Sequence, residues 1–349
     1  MDRRALLINM KYILEITTKI GCSNVCEYCP QTKLIKNYTN NLHNAVMKKH
    51  FDDTKDLDVV ENLLLHKYLE KDKNRDTMMS LNTFKKCLST IPTQVDVHFT
   101  GYTEAFENPQ CIDMIEHVSK KGHRVLCNTT LVGLTPEIIK RLENIRFKEF
   151  NIHLPSATYY ENIGRTSKKQ KSKTGKDITD EYLDILDHII EAKINADHPK
   201  HFHTHSGEEL PDLHPEINDY AGDRIRAIGY KNRGLNSRAG NLGKLTGELL
   251  WENNWCQRII HNVLLPDGTV QLCCQDYGLE EPLGNLNIMN YADIFETNNF
   301  QNRIMKGKTN ICNRCDDGVA VPDNMKKYLA SMQYHEDEWR KEQHKRKQV

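Results

Sequence analysis

Three cysteines crowd one short loop, Gly21-Cys22-Ser23-Asn24-Val25-Cys26-Glu27-Tyr28-Cys29-Pro30, a C-x3-C-x2-C spacing directly after a β-rich run at residues 12–20. Three thiolates on so compact a loop can hold three irons of a [4Fe–4S] cluster. Structural zinc takes four protein ligands, and an electron-transfer cluster takes four cysteines. A three-cysteine loop therefore leaves one iron open to an outside ligand; the alternative is a zinc loop that borrows its fourth ligand from elsewhere. A second set, Cys256, Cys273, Cys274, Cys312 and Cys315, offers five thiols for four seats, with Cys312 and Cys315 as a C-x2-C pair. Adjacent strand residues point to opposite faces, so Cys273 and Cys274 can hardly ligate one cluster together. A four-cysteine zinc ribbon fits this count as well as a cluster does.

These loops need elements to hold them. The chain has 349 residues and 11 cysteines, too long to need disulfide staples, and most of the cysteines fall in tight groups. That pattern reads as metal binding in a reducing cytoplasm. Lys and Arg total 48 against 48 Asp and Glu, which removes the charge footprint of a non-specific nucleic-acid binder. No apolar run approaches the roughly 20 residues of a bilayer span. Residues 1–8 hint at a signal peptide, but Asn9, Lys11 and Glu15 interrupt the apolar stretch and no small-residue cleavage site follows.

Strand patterns at 12–20, 95–100, 124–129, 147–154, 201–205 and 224–230 alternate with helical ones at 111–121, 136–144 and 179–193. A further helix follows Ser80, its expected N-cap, and Thr135 with Pro136 marks another start. Repeated β-then-α units predict a parallel sheet with helices packed outside. About six units fit, fewer than a full eight-fold barrel needs. The expected fold is α/β: a partial (β/α)6 TIM-like barrel over 1–235, with a polar insertion at 31–77 and a basic low-complexity stretch at 165–176. A Gly/Asn-rich linker spans 236–249, a small β-hairpin/helix domain 250–320, and a polar helix and tail 321–349. The hairpin turns at Asp267-Gly268.

The cysteine loop, with an aromatic before its third cysteine and placed at the end of a first strand, resembles the radical S-adenosylmethionine (SAM) superfamily. The resemblance implies a cluster on Cys22, Cys26 and Cys29 whose open iron is chelated by SAM, and a 5′-deoxyadenosyl radical that abstracts hydrogen from substrate. Gly101 and Glu104, in Gly101-Tyr102-Thr103-Glu104, match the family's Gly-Gly-Glu-like motif for the SAM amine, whereas Tyr102 departs from the second glycine. Asn128 ends the third strand in a Thr-Asn-Gly-like stretch, His153 stands where the fourth offers a ribose contact, Arg165 where an arginine meets the SAM carboxylate, and Tyr28 beside the adenine.

The order Cys256…Gly268-x4-Cys273…Cys312-x2-Cys315 resembles the SPASM/twitch extensions of the same superfamily, in the short twitch form with one auxiliary [4Fe–4S] cluster. The glycine spacing favours Cys273 as the ligand. The spacing from Cys256 to Cys274 also resembles that of a twitch-bearing aminocyclitol dehydrogenase. Four thiolates would leave no open iron, which suits electron transfer.

The function expected is a cytoplasmic radical SAM enzyme that oxidises or epimerises a small polar sugar- or cyclitol-like substrate. Its electron donor would be of the flavodoxin or ferredoxin kind, without membrane or nucleic-acid partners. Peptide modification is the second reading, and a zinc-binding barrel hydrolase or zinc-ribbon interaction protein the third. His201, His203 and His205 alternate on one strand and read as polar lining, or one as a substrate-site base. Glu15 and Thr17 share a face of the first strand and look into the barrel. Arg238 is a substrate contact or a linker brace. Lys168, Lys169, Lys171, Lys173 and Lys176 read as a solvated loop. Cys87, Cys111 and Cys127 read as core.

Overall fold

The computed structural model describes residues 12–24, 26, 28–40, 77–158, 163, 177–205, 212–229, 238–242, 254–255, 258, 261–296, 311–315 and 319–320. Its strands are β1 (Ile13–Ile16), β2 (Asp96–Phe99), β3 (Val125–Thr129), β4 (Arg146–His153), β5 (Asn195–Ala196), β6 (His201–Thr204), β7 (Ala227–Gly229), β8 (Asn254–Trp255), β9 (His261–Leu264), β10 (Thr269–Gln271), β11 (Pro282–Asn285) and β12 (Val319–Ala320). Its helices are α1 (Gln31–Thr39), α2 (Leu81–Leu88), α3 (Cys111–Lys120), α4 (Pro136–Leu142), α5 (Asp180–Glu191), α6 (Pro215–Ala221) and α7 (Tyr291–Glu296).

Six parallel strands, β1-β2-β3-β4-β6-β7, lie side by side in that order. This is the expected run of β/α units. Strand alternation sorts the residues: on β1, Leu14 and Ile16 are wholly buried in the main apolar core, while Glu15 faces the cleft; Thr17, just past the strand, is buried. Helix starts fall where the sequence places them. Ser80, Thr135 and Thr179 each accept a hydrogen bond from the backbone N–H three residues on, at 3.1, 3.3 and 3.2 Å. Cys87, Cys111 and Cys127 are fully buried core residues.

Two features differ from expectation. Helix α1 occupies the first part of the stretch read as a polar insertion. Only Leu34 and Tyr38, four residues apart, bury from it, so its apolar stripe is one turn wide and its periodicity faint. The rest of that stretch, 41–76, lies outside the described residues, as do 165–176 and 321–349. The C-terminal hairpin is also no separate sheet. β9 pairs in parallel with β1, Glu15 opposite Val263, and carries the antiparallel strands β10 and β11 onto the same sheet. Gly268 turns the hairpin at φ +86°, where an added Cβ would lie 2.2 Å from Asn287 Nδ2. The parallel strands thus end on one rim, and the loops beyond their carboxyl ends meet there. Among the described residues no helix is long and apolar enough to cross a membrane.

Candidate active site

A cleft of about 480 Å³ opens at this rim. Cys22, Cys26 and Cys29 line it together with Tyr28, Gly101, Glu104, Asn128 and His153, which come from the ends of four successive parallel strands. The structure therefore brings together every described residue that the sequence singled out for the first site. Arg165 lies outside the described residues.

The cysteine loop is held from several sides. Asn24 donates to Thr130 Oγ1 at 3.0 Å, and the Cys29 thiol to the Tyr277 hydroxyl at 3.6 Å. Gln31 donates to the carbonyl of Tyr102 and to Cys29 Sγ at 3.5 Å. Glu107 accepts from Ser23 and Lys19 and was missed by sequence reasoning, because nothing local links it to a loop 84 residues earlier. Burial pushes the Cys22 thiol up to about 12, so holding it as a thiolate requires a cation or a metal.

Gly101 makes the close approach between β1 and β2 possible. It sits at φ +76°, and a Cβ there would lie 2.4 Å from Thr17 Oγ1. Gly101→Ala is expected to destabilise the fold by about 1–3 kcal/mol from backbone strain alone. Urea unfolding measures this, and an unchanged midpoint would refute the steric account. Glu104 is buried and takes hydrogen bonds from Phe106 N, Thr129 Oγ1, Thr130 N and Thr130 Oγ1 at 3.2, 2.9, 2.6 and 2.7 Å. Burial raises its pKa, against the pull of those donors.

One wall is aromatic. The Tyr28 hydroxyl and His153 Nε2 are 3.1 Å apart, and the His205 ring lies 4.5 Å from that of Tyr28 and 4.3 Å from that of His153. His203 lies 5.1 Å from His153. Burial holds His153 down to about 4, a neutral imidazole at physiological pH. His203 and His205 are thus polar cleft lining. Among the described residues no three His, Cys, Asp or Glu side chains converge on one ion position.

The floor carries Glu15, His98, Arg238, Arg258 and Cys274. Asn128 hydrogen-bonds His98 and accepts from Asn151 at 2.9 Å. Burial raises Glu15 to about 7, partly offset by Arg258, by a hydrogen bond with Cys274 and by Arg238. Arg238 stands 6.0 Å over the Tyr277 ring in a left-handed turn with Ala239 and Gly240.

The two adjacent cysteines part company here. Cys273 belongs to the main core, against which Cys312 and Cys315 also pack. Cys274, like Cys29, packs against a separate apolar cluster and lines the cleft, with Arg258 Nη1 3.8 Å from its sulfur. Tyr102, the departure from the second glycine, has a role: its hydroxyl donates to the carbonyls of Cys273 and Asp276 at 2.9 and 3.1 Å, bolting the end of β2 to the C-terminal segment. Cys256 lies outside the described residues.

Residues 256–316 match the SPASM domain, an iron–sulfur cluster-binding domain. The SPASM segment contains Cys256, Cys273, Cys274, Cys312 and Cys315 and the Asp-Gly hairpin. The fold resembles that of BtrN in complex with AdoMet and 2-DOIA, with a TM-score of 0.50 and 12% identity over 88% of this chain and 94% of that one. Weaker likenesses are to native anSMEcpe with bound AdoMet (TM-score 0.46, 13% identity, 87% and 90% covered) and to Streptococcus suis SuiB bound to precursor peptide SuiA (0.41, 9%, 84% and 67%). No curated protein sequence matches the chain.

Proposed function

We propose that the protein is a radical SAM enzyme that oxidises a small polar substrate, with a second cluster in the SPASM segment. The observation that carries this reading is the meeting of the three-thiol loop, Glu104 and the SPASM segment around one cleft. Cys22, Cys26 and Cys29 would hold a [4Fe–4S] cluster that, with SAM bound, would supply radical chemistry through a 5′-deoxyadenosyl species. The donor set fits: three thiols on one loop, and a buried carboxyl whose charge an incoming ammonium would restore. Glu104 holds that amine. Tyr28 and His153 form the wall for the adenosyl group, with Asn128 beside them. Arg165 stands in the chain where it would pair with the carboxylate.

The floor takes the substrate. Its polar and charged side chains suit a hydroxylated small molecule of the sugar or cyclitol kind. Glu15 is the base that removes the proton after hydrogen abstraction, because burial sets its pKa near working pH. Cys256, Cys273, Cys312 and Cys315 would hold the second cluster, whose chemistry there would be to take up the remaining electron, and a flavodoxin- or ferredoxin-like donor would reduce the first. Epimerisation would need no such acceptor, and the four-thiol set favours oxidation for that reason.

The test is metal analysis after anaerobic reconstitution. About eight irons and eight sulfides per chain are expected for two [4Fe–4S] clusters, with release of 5′-deoxyadenosine from SAM under reduction. The Cys22/Cys26/Cys29 triple alanine variant should keep about four irons and release none. Stoichiometric zinc without iron would overturn the reading.

A further inference from the structure

Glu107 lies in the short turn after Glu104, and its side chain is only 7% exposed. Its two oxygens have separate tasks. Oε1 accepts from Ser23 N at 2.7 Å, from Ser23 Oγ at 2.6 Å and from the Cys22 thiol at 3.6 Å. Oε2 takes the Lys19 ammonium at 2.6 Å. Lys19 sits just before the cysteine loop, so one carboxylate ties both the entry to the loop and its first cysteine to a segment 85 residues away. None of this is needed to bind SAM or substrate, since Glu107 does not line the cleft.

We propose that Glu107, braced by Lys19, is a positioning residue that fixes a negative charge beside Cys22 and thereby sets the reduction potential of the cluster on the cysteine loop. The inference rests on the reading of that loop as a cluster site. A ligating Cys22 has no thiol hydrogen to give, so Oε1 then presents its charge to the ligand sulfur. It cannot swing away, because Ser23 holds it with two donors and Lys19 holds the other oxygen. A fixed negative charge opposes the arrival of an electron, and nearby charge and hydrogen bonding are among the factors that set cluster potentials. Lys19 acts in the opposite sense by cancelling part of that charge.

The two residues therefore make opposite predictions, which a merely structural role would not. In anaerobically reconstituted full-length protein, the potential is read by titrating the electron paramagnetic resonance signal that responds to SAM and that Cys26→Ala abolishes. Glu107→Gln keeps the shape and the Ser23 contacts but removes the charge, so the potential should rise with iron per chain unchanged. Lys19→Met leaves the carboxylate uncompensated, and the potential should fall. Unmoved potentials with full iron, shifts in the same direction, or loss of iron from either variant would overturn the inference alone. Absence of any signal that Cys26→Ala removes would overturn the cluster reading, and the inference with it.

Discussion

Cys273→Ala is expected to lower the iron content from about eight to about four per chain, whereas Cys274→Ala should leave it at about eight. The two side chains are neighbours in sequence and serve opposite sides of the chain. Cys273 is 8% exposed, packs in the core that Cys312 and Cys315 also join, and has its carbonyl pinned by Tyr102. Burial, then Cys274, Asp276 and Cys312, push its thiol pKa well up, so it would ligate as a thiolate only with the metal's own charge beside it. Cys274 instead meets Arg258 and Glu15 on the cleft floor. Its loss should lower turnover and not iron. Iron and sulfide assays on the two single variants decide the matter, and a Cys274→Ala protein with half its iron would reverse the assignment.

That distinction shows where sequence reading reaches and where it stops. The strict alternation of a strand says that neighbouring cysteines face apart, but not which face holds the cluster. The alternating strands and helices, the caps at Ser80 and Thr135, and the Asp-Gly turn were legible because each is a local signal a few residues long. The pairing of β9 with β1 was not, because neighbour choice in a sheet depends on chain closure and not on periodicity. Tyr102 read only as a departure from a glycine, since its two carbonyl partners lie 171 and 174 residues away. Glu107 escaped notice for the same reason. The imidazole wall was half legible: alternation put His203 and His205 on one face, but only the fold stacks them against His153 and Tyr28.

Glu15→Gln should lower turnover by about 10²–10⁴-fold, if Glu15 removes the proton as a general base, and yet make the protein more stable at alkaline pH. Both effects come from one cause. Burial raises the carboxyl from 4.5 to about 7, so the folded protein keeps a proton that the unfolded chain releases. Stability from this group is fully present below about pH 4.5 and is lost as pH rises through about 7. The loss amounts to about 3 kcal/mol at pH 8. Glutamine fills the same volume without an ionisable group, so the variant lacks this contribution and should decline less than the wild type across that window, Asp276 keeping its own share of the decline in both. Activity runs the other way: the base must be ionised, so wild-type turnover should rise with pH through a limb near 7 that the variant lacks. Denaturant unfolding at pH 5 and 8, beside a pH–rate profile, reads both. A variant that lost activity without gaining relative stability at pH 8 would show that Glu15 is ionised in the fold, held by Arg258 and Arg238, and so is a fixed anion for substrate binding and not a base poised near neutrality.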